Sequence, residues 1–140
     1  MKRKLSVLIV DDNENYVRRM VSLLSEVDSI SAIHTAQNYD EASLLLDKKP
    51  DLALLDIHLP GKNGMHLLKT IKDSGKDCEV FMITNATGDY YRQECKKLGA
   101  LYFFDKTSEF DLVPGMIKEF AGLSRKQAGY SPGKTIPLSH

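Results

Sequence analysis

The chemistry in this chain gathers where short apolar runs end. Leu8-Ile9-Val10 stops at Asp11-Asp12, Leu52-Ala53-Leu54-Leu55 at Asp56, and Val80-Phe81-Met82-Ile83 at Thr84. A fourth run, Leu101-Tyr102-Phe103-Phe104, stops just short of Lys106. Carboxylates about 4 Å apart repel by roughly 4 kcal/mol at an effective dielectric near 20. Three of them raise one another's pKa or require a cation. Mg²⁺ suits such a set, because it takes oxygen ligands and completes its octahedron with water and phosphate. Zinc does not, since it prefers Cys and His. A carboxylate can also attack a phosphoryl group and form an aspartyl-phosphate. A lysine ammonium and a threonine hydroxyl would then meet the phosphoryl oxygens.

For these groups to meet, the apolar runs must be parallel strands of one sheet. Buried parallel strands read as continuous apolar runs, and open α/β sheets bind ligands at the carboxyl ends of their strands. Strand-like runs over about 5–10, 31–35, 52–55, 79–83 and 100–104 alternate with helical patterns. The second, interrupted by polar residues, reads as an edge strand; the third, the most apolar, as central. Val17, Met20, Val21 and Leu24 form the stripe of a first helix capped by Asn13. Asn38 caps the second, with Asp40 and Glu41 in its first turn; Ala42, Leu45 and Leu46 face inward and Pro50 ends it. Pro60-Gly61 marks a turn. Met65, Leu68 and Ile71 stripe the third helix, which Gly75 stops. Tyr91, Cys95 and Leu98 stripe the fourth, ended by Gly99. Asp111 is a candidate cap for the fifth, with Pro114 in its first turn and Leu112, Met116, Ile117 and Phe120 facing inward. Right-handed crossovers make this (βα)5 pattern a doubly wound α/β sheet.

Length and composition set bounds. The 140 residues make one domain over 1–122, followed by a Pro- and Gly-containing tail over 123–140. Nineteen basic and nineteen acidic residues cancel, so nothing suggests a nucleic-acid surface. Cys78 and Cys95 are too few for a disulfide framework and read as buried thiols. The basic N-terminus is followed by too short an apolar run for a signal peptide. No run approaches the roughly 20 apolar residues of a membrane span. The expectation is a cytoplasmic protein without membrane or nucleic-acid contact. His34, His58, His66 and His140 are isolated, and none reads as a catalytic base.

Taken together, these residues resemble the receiver domain of two-component response regulators, over about residues 5–122. The acidic pair closes the first strand. Asp56 closes the third and is followed by Pro60 and Gly64, as in the family's D-x-x-x-P-x-x-x-G loop. Thr84 closes the fourth strand, Gly99-Ala100 precedes the fifth, and Lys106 ends it. Separations of 44 residues from Asp12 to Asp56 and 22 from Thr84 to Lys106 also match. The resemblance implies a flavodoxin-like strand order 2-1-3-4-5 and assigns roles. Asp56 would be the phosphoacceptor. Asp12, Asp56 and the backbone carbonyl of His58 would bind Mg²⁺ directly, Asp11 through water. Thr84 and Lys106 would contact the phosphoryl group, and Phe103 would be the switch aromatic. The donor would be a sensor histidine kinase or a histidine phosphotransfer protein. The downstream protein target would meet the surface of the fourth helix, fifth strand and fifth helix. Such a domain promotes only its own phosphorylation and dephosphorylation. No output module follows residue 122, so the expectation is a stand-alone receiver.

Several positions depart from the family pattern. Thr107 stands where many members have proline, which predicts a trans bond after Lys106. Asn85 stands where a small residue is usual, and would narrow access to Asp56 or add a donor. Phe103 has no hydroxyl. His58 and Ala86 occupy positions that tune the aspartyl-phosphate lifetime. Tyr90, Tyr91 and Tyr102 are expected to be half-buried. Two rival readings follow: a receiver-like binding module independent of phosphorylation, and a phosphohydrolase of the haloacid-dehalogenase type. The second needs a general-acid aspartate where His58 stands.

Overall fold

The computed structural model describes residues 4–86 and 88–122. Five strands form one parallel sheet in the order β2-β1-β3-β4-β5. They are β1 (Leu5–Val10), β2 (Ile30–Ala36), β3 (Leu52–Leu55), β4 (Glu79–Thr84) and β5 (Tyr102–Asp105). The helices are α1 (Glu14–Leu24), α2 (Tyr39–Leu45), α3 (Gly64–Asp73), α4 (Asp89–Lys97) and α5 (Val113–Ala121). This is the expected doubly wound, flavodoxin-like fold. β3 is central and fully buried, while β2 lies at the edge with only Ala36 buried. The residue pattern explains the contrast, since only a strand covered on both faces can be apolar throughout.

The helix starts at α1 and α2 follow from local chemistry. The Asn13 side chain accepts the N–H of Tyr16, and Asn38 accepts that of Glu41. Asn63 does the same for His66 at the start of α3, a cap the sequence reading did not identify. The inward faces are Tyr16, Met20 and Leu24 on α1; Leu67, Leu68 and Ile71 on α3; Cys95 on α4. Cys78 is buried too. Gly75 and Gly99 follow α3 and α4 with φ of 72° and 103°, the left-handed ending that glycine permits.

Several expectations are corrected. Asp111 does not cap α5: it lies inside a 3-10 turn at Phe110–Leu112, and no side chain caps the helix. Leu112 is 46% exposed, and Val113 takes the buried position instead. Ile117 and Phe120 keep the buried places expected of them. α2 ends at Leu45, four residues earlier than Pro50 implies; a 3-10 turn at Leu46–Lys48 and a left-handed Lys49 intervene. Of the three tyrosines, Tyr91 alone is half-buried; Tyr102 is buried and Tyr90 is 66% exposed. The tail over 123–140 lies outside the described residues.

Candidate functional site

The site is built by strand register. Val10 pairs with Leu55, and Leu55 with Met82. Asp11 and Asp56 are each one residue past the β1–β3 pair, so they stand at one level. Two backbone bonds extend the ladders past the strands: Asp11 N–H donates to Ala36 O at 3.0 Å, and Asp56 N–H to Val10 O at 3.1 Å. Thr84 pairs with Asp105 across β4 and β5, and Lys106 N–H donates to Thr84 O at 3.0 Å. The predicted residues therefore converge at the carboxyl edge.

Asp56, 6% exposed, is held from three sides. Its Oδ1 accepts the Thr84 hydroxyl at 2.7 Å and the His58 N–H at 3.3 Å. Its Oδ2 accepts Lys106 Nζ at 3.1 Å. Lys106 also donates to Asp11 Oδ2 at 2.8 Å, and Asp11 Oδ1 accepts the Asn13 N–H at 2.9 Å. Thr84 Oγ1 in turn accepts the Ala86 N–H at 3.1 Å. Asp12 is exposed, and carboxylate oxygens of Asp11, Asp12 and Asp56 lie within 4.8 Å of one another.

Burial raises the pKa of Asp11, and the lysine contacts do not offset it. Burial pulls Lys106 down, but Asp11 and Asp56 together outweigh it and raise its pKa. Lys106 holds its proton more tightly because its ammonium faces two carboxylates, whereas for Asp11 burial does so. The cluster asks for further positive charge. A divalent cation with oxygen ligands fits that demand, and Asp11, Asp12 and Asp56 supply the oxygens.

Gly64 is part of the same construction. It donates its N–H to Ile57 O at 2.8 Å, and α3 begins there against the backbone that carries Asp56. A Cβ at position 64 would lie 1.9 Å from Asp56 O. The glycine eight residues after Asp56 is thus a steric requirement of this site.

The loop after Lys106 departs from the family pattern in a self-consistent way. No peptide bond among the described residues is cis, as expected from Thr107. The Thr107 N–H, which proline would lack, donates to Asp105 Oδ2 at 3.1 Å. The Ser108 N–H and hydroxyl add bonds to the same oxygen at 2.7 and 2.8 Å. These donors, Ser108 first, hold the Asp105 carboxyl below its ordinary pKa. The Thr107 hydroxyl donates to Asn85 Oδ1 at 3.2 Å. The two unusual residues therefore meet each other, bridging the loops that follow β4 and β5.

Phe103 is 3% exposed, and the Arg92 guanidinium lies 4.8 Å from its ring centroid. A cavity of about 130 Å³ borders Thr84, Ala86, Arg92 and Phe103. Sequence reading missed Arg92 and Tyr16. For Tyr16 a signal existed: Tyr16, Met20 and Leu24 recur every four residues, the spacing of one helix face.

The description "response regulator receiver domain" belongs to the family model that matches residues 7–118. Sporulation initiation phosphotransferase F of Bacillus subtilis is 30% identical over 118 residues, 84% of this chain and 94% of that protein. A protein-glutamate methylesterase/protein-glutamine glutaminase of Desulfotalea psychrophila is 37% identical over 113 residues. That match covers 76% of this chain and 30% of the relative, so the chain spans under a third of its length. Among solved structures, a CheX-CheY-BeF3-Mg complex from Borrelia burgdorferi aligns with a TM-score of 0.75 and 25% identity. It covers 84% of this chain and 90% of the other.

Proposed function

The chain belongs to the response regulator receiver family and serves phosphorelay signal transduction; on that premise we propose that Asp56 is its phosphoacceptor. The single observation that carries the assignment is the convergence of Thr84 and Lys106 on the two oxygens of the Asp56 carboxylate. The donor is a phosphohistidine on a sensor kinase or a histidine phosphotransfer protein. An Asp56 oxygen attacks phosphorus, a P–O bond forms, and the P–N bond breaks with its electron pair leaving on the donor imidazole. The Thr84 hydroxyl and the Lys106 ammonium pass their hydrogen bonds from the carboxylate to the phosphoryl oxygens. Such transfer asks mainly for positioning and charge neutralisation.

Asp11, Asp12, Asp56 and the His58 carbonyl would hold Mg²⁺. When bound, the ion supplies the positive charge that the carboxylates and the phosphoryl group share. The partner surface is that of α4, β5 and α5. Tyr90 stands exposed on it, and Phe103 beneath Arg92 borders the same cavity as Thr84. Among the described residues no helix is long and apolar enough to cross a membrane, and we place the protein in the cytoplasm. The module independent of phosphorylation is not favoured. It would rest on Asn85 and on Thr107 in place of proline, and these bond to each other while the Asp/Thr/Lys set stays intact. The phosphohydrolase reading lacks its general acid, since an exposed histidine occupies position 58.

The test is incubation with acetyl phosphate, with and without Mg²⁺, followed by intact mass. One phosphoryl group should add to the wild type only with Mg²⁺, and none to Asp56→Asn. Equal uptake by Asp56→Asn would defeat the assignment.

A further inference from the structure

Lys106 has a third neighbour besides Asp11 and Asp56. Its Nζ lies 4.6 Å from the ring centroid of Tyr16, within cation–π range. Tyr16 sits in the first turn of α1 and is only 7% exposed. Its backbone is tied to the site. The Asp11 carboxylate accepts the Asn13 N–H, and the Asn13 side chain accepts the Tyr16 N–H at 3.1 Å. The ring also meets Phe110 edge-to-face, with centroids 5.7 Å apart and planes at 74°. Phe110 is itself covered by the Arg19 guanidinium at 4.6 Å. The tyrosine hydroxyl is buried and makes no hydrogen bond. Whatever Tyr16 contributes, it contributes through its ring.

We propose that Tyr16 is a positioning residue for Lys106: its ring face holds the ammonium between the carboxylates, where it can meet an incoming phosphoryl group. The inference rests on the reading that Lys106 contacts that group. A lysine carries a long flexible stem with much rotamer freedom to lose. A ring face at the ammonium adds a third contact to those of the two carboxylates. The ring carries no charge, so it confines the ammonium without adding to the carboxylates' hold on it. The ring is itself held in a chain of contacts, Lys106–Tyr16–Phe110–Arg19, so it is not free to tilt away.

Two variants separate ring from hydroxyl. Tyr16→Phe keeps the ring face, and Tyr16→Met fills the space with a flexible apolar chain. Phosphoryl uptake from acetyl phosphate at saturating Mg²⁺ should match the wild type in Tyr16→Phe. It should slow in Tyr16→Met on the order of tenfold, the scale of a desolvated cation–π contact. In a Lys106→Ala background Tyr16→Met should add no further loss, whereas a merely structural role would slow both backgrounds alike. NMR tests the contact without phosphorylation. The Lys106 side-chain methylene protons should be shifted upfield by the ring in wild type and Tyr16→Phe, and return to ordinary values in Tyr16→Met. An unshifted Lys106 in the wild type overturns the proposal, as does equal uptake by Tyr16→Met and wild type. Absence of uptake by the wild type would count against the function, and the ring-current shift would still decide the role of Tyr16.

Discussion

Replacing Lys106 by methionine isolates the electrostatics of the site from phosphoryl chemistry. The ammonium bonds two carboxylates at 2.8 and 3.1 Å, and the side chains of Lys106, Asp11 and Asp56 are 11%, 3% and 8% exposed. Screening by solvent is therefore weak. Removing one partner of a buried ion pair costs about 3–5 kcal/mol, because the remaining charge is left uncompensated. Methionine keeps most of the stem's volume, so the cavity contribution is small. Lys106→Met should lose about 3 kcal/mol at pH 7.5 in EDTA, the low end of that range because Asp11 can take up a proton. For a domain of this size that lowers the melting temperature by about 10–15 °C. Mg²⁺ should then rescue the variant more than the wild type, since the ion no longer competes with an ammonium. Tenfold tighter binding of the ion restores up to about 1.4 kcal/mol. Urea unfolding in EDTA and in 10 mM Mg²⁺ measures both terms. Equal or greater stability of the variant in EDTA, or a gap that Mg²⁺ widens, would show that Lys106 does not neutralise this cluster.

Asp11→Asn should stabilise the Mg²⁺-free domain at neutral pH, by on the order of 1 kcal/mol. The raised pKa of Asp11 means that its ionisation costs stability above that value. The advantage should therefore shrink as the pH falls through the raised value towards 3.8, and urea midpoints across pH 3.5–7.5 read it. Gly64→Ala forces a Cβ to within 1.9 Å of Asp56 O. It should cost about 3 kcal/mol by overpacking and slow phosphoryl uptake, measured by thermal melting and intact mass. Asn85→Ala should speed uptake from acetyl phosphate several-fold by clearing the edge of the site. In a double-mutant cycle with Thr107→Val, the stability coupling should stay at or below about 1 kcal/mol, since both residues are exposed. A larger coupling would mean that the loop-to-loop bond is a structural requirement.

Much of this molecule is legible in its residues because the relevant physics is local or strongly patterned. Leu52 to Leu55, short, apolar throughout and followed by turn residues, reads as a doubly covered strand, and Asp56 then falls at its carboxyl end. Asn13 and Asn38 cap helices through bonds that reach three residues along the chain. Asp11, Asp56, Thr84 and Lys106 meet because parallel strands share one register, so an end in sequence becomes an edge in space. What the tertiary structure alone decided concerns contacts between separate loops. The 3-10 turn at Phe110–Leu112 displaced Asp111 from its cap and turned Leu112 outward, a choice made by how the chain leaves the site. Asn85 and Thr107, 22 residues apart, each looked like a departure, and only their bond shows that they form one feature. The partners of Lys106 divide the same way. Its carboxylates follow from the strand pattern, whereas the ring of Tyr16 beneath it depends on the angle at which α1 packs. That angle is set by the whole apolar face of the helix, which no short motif encodes.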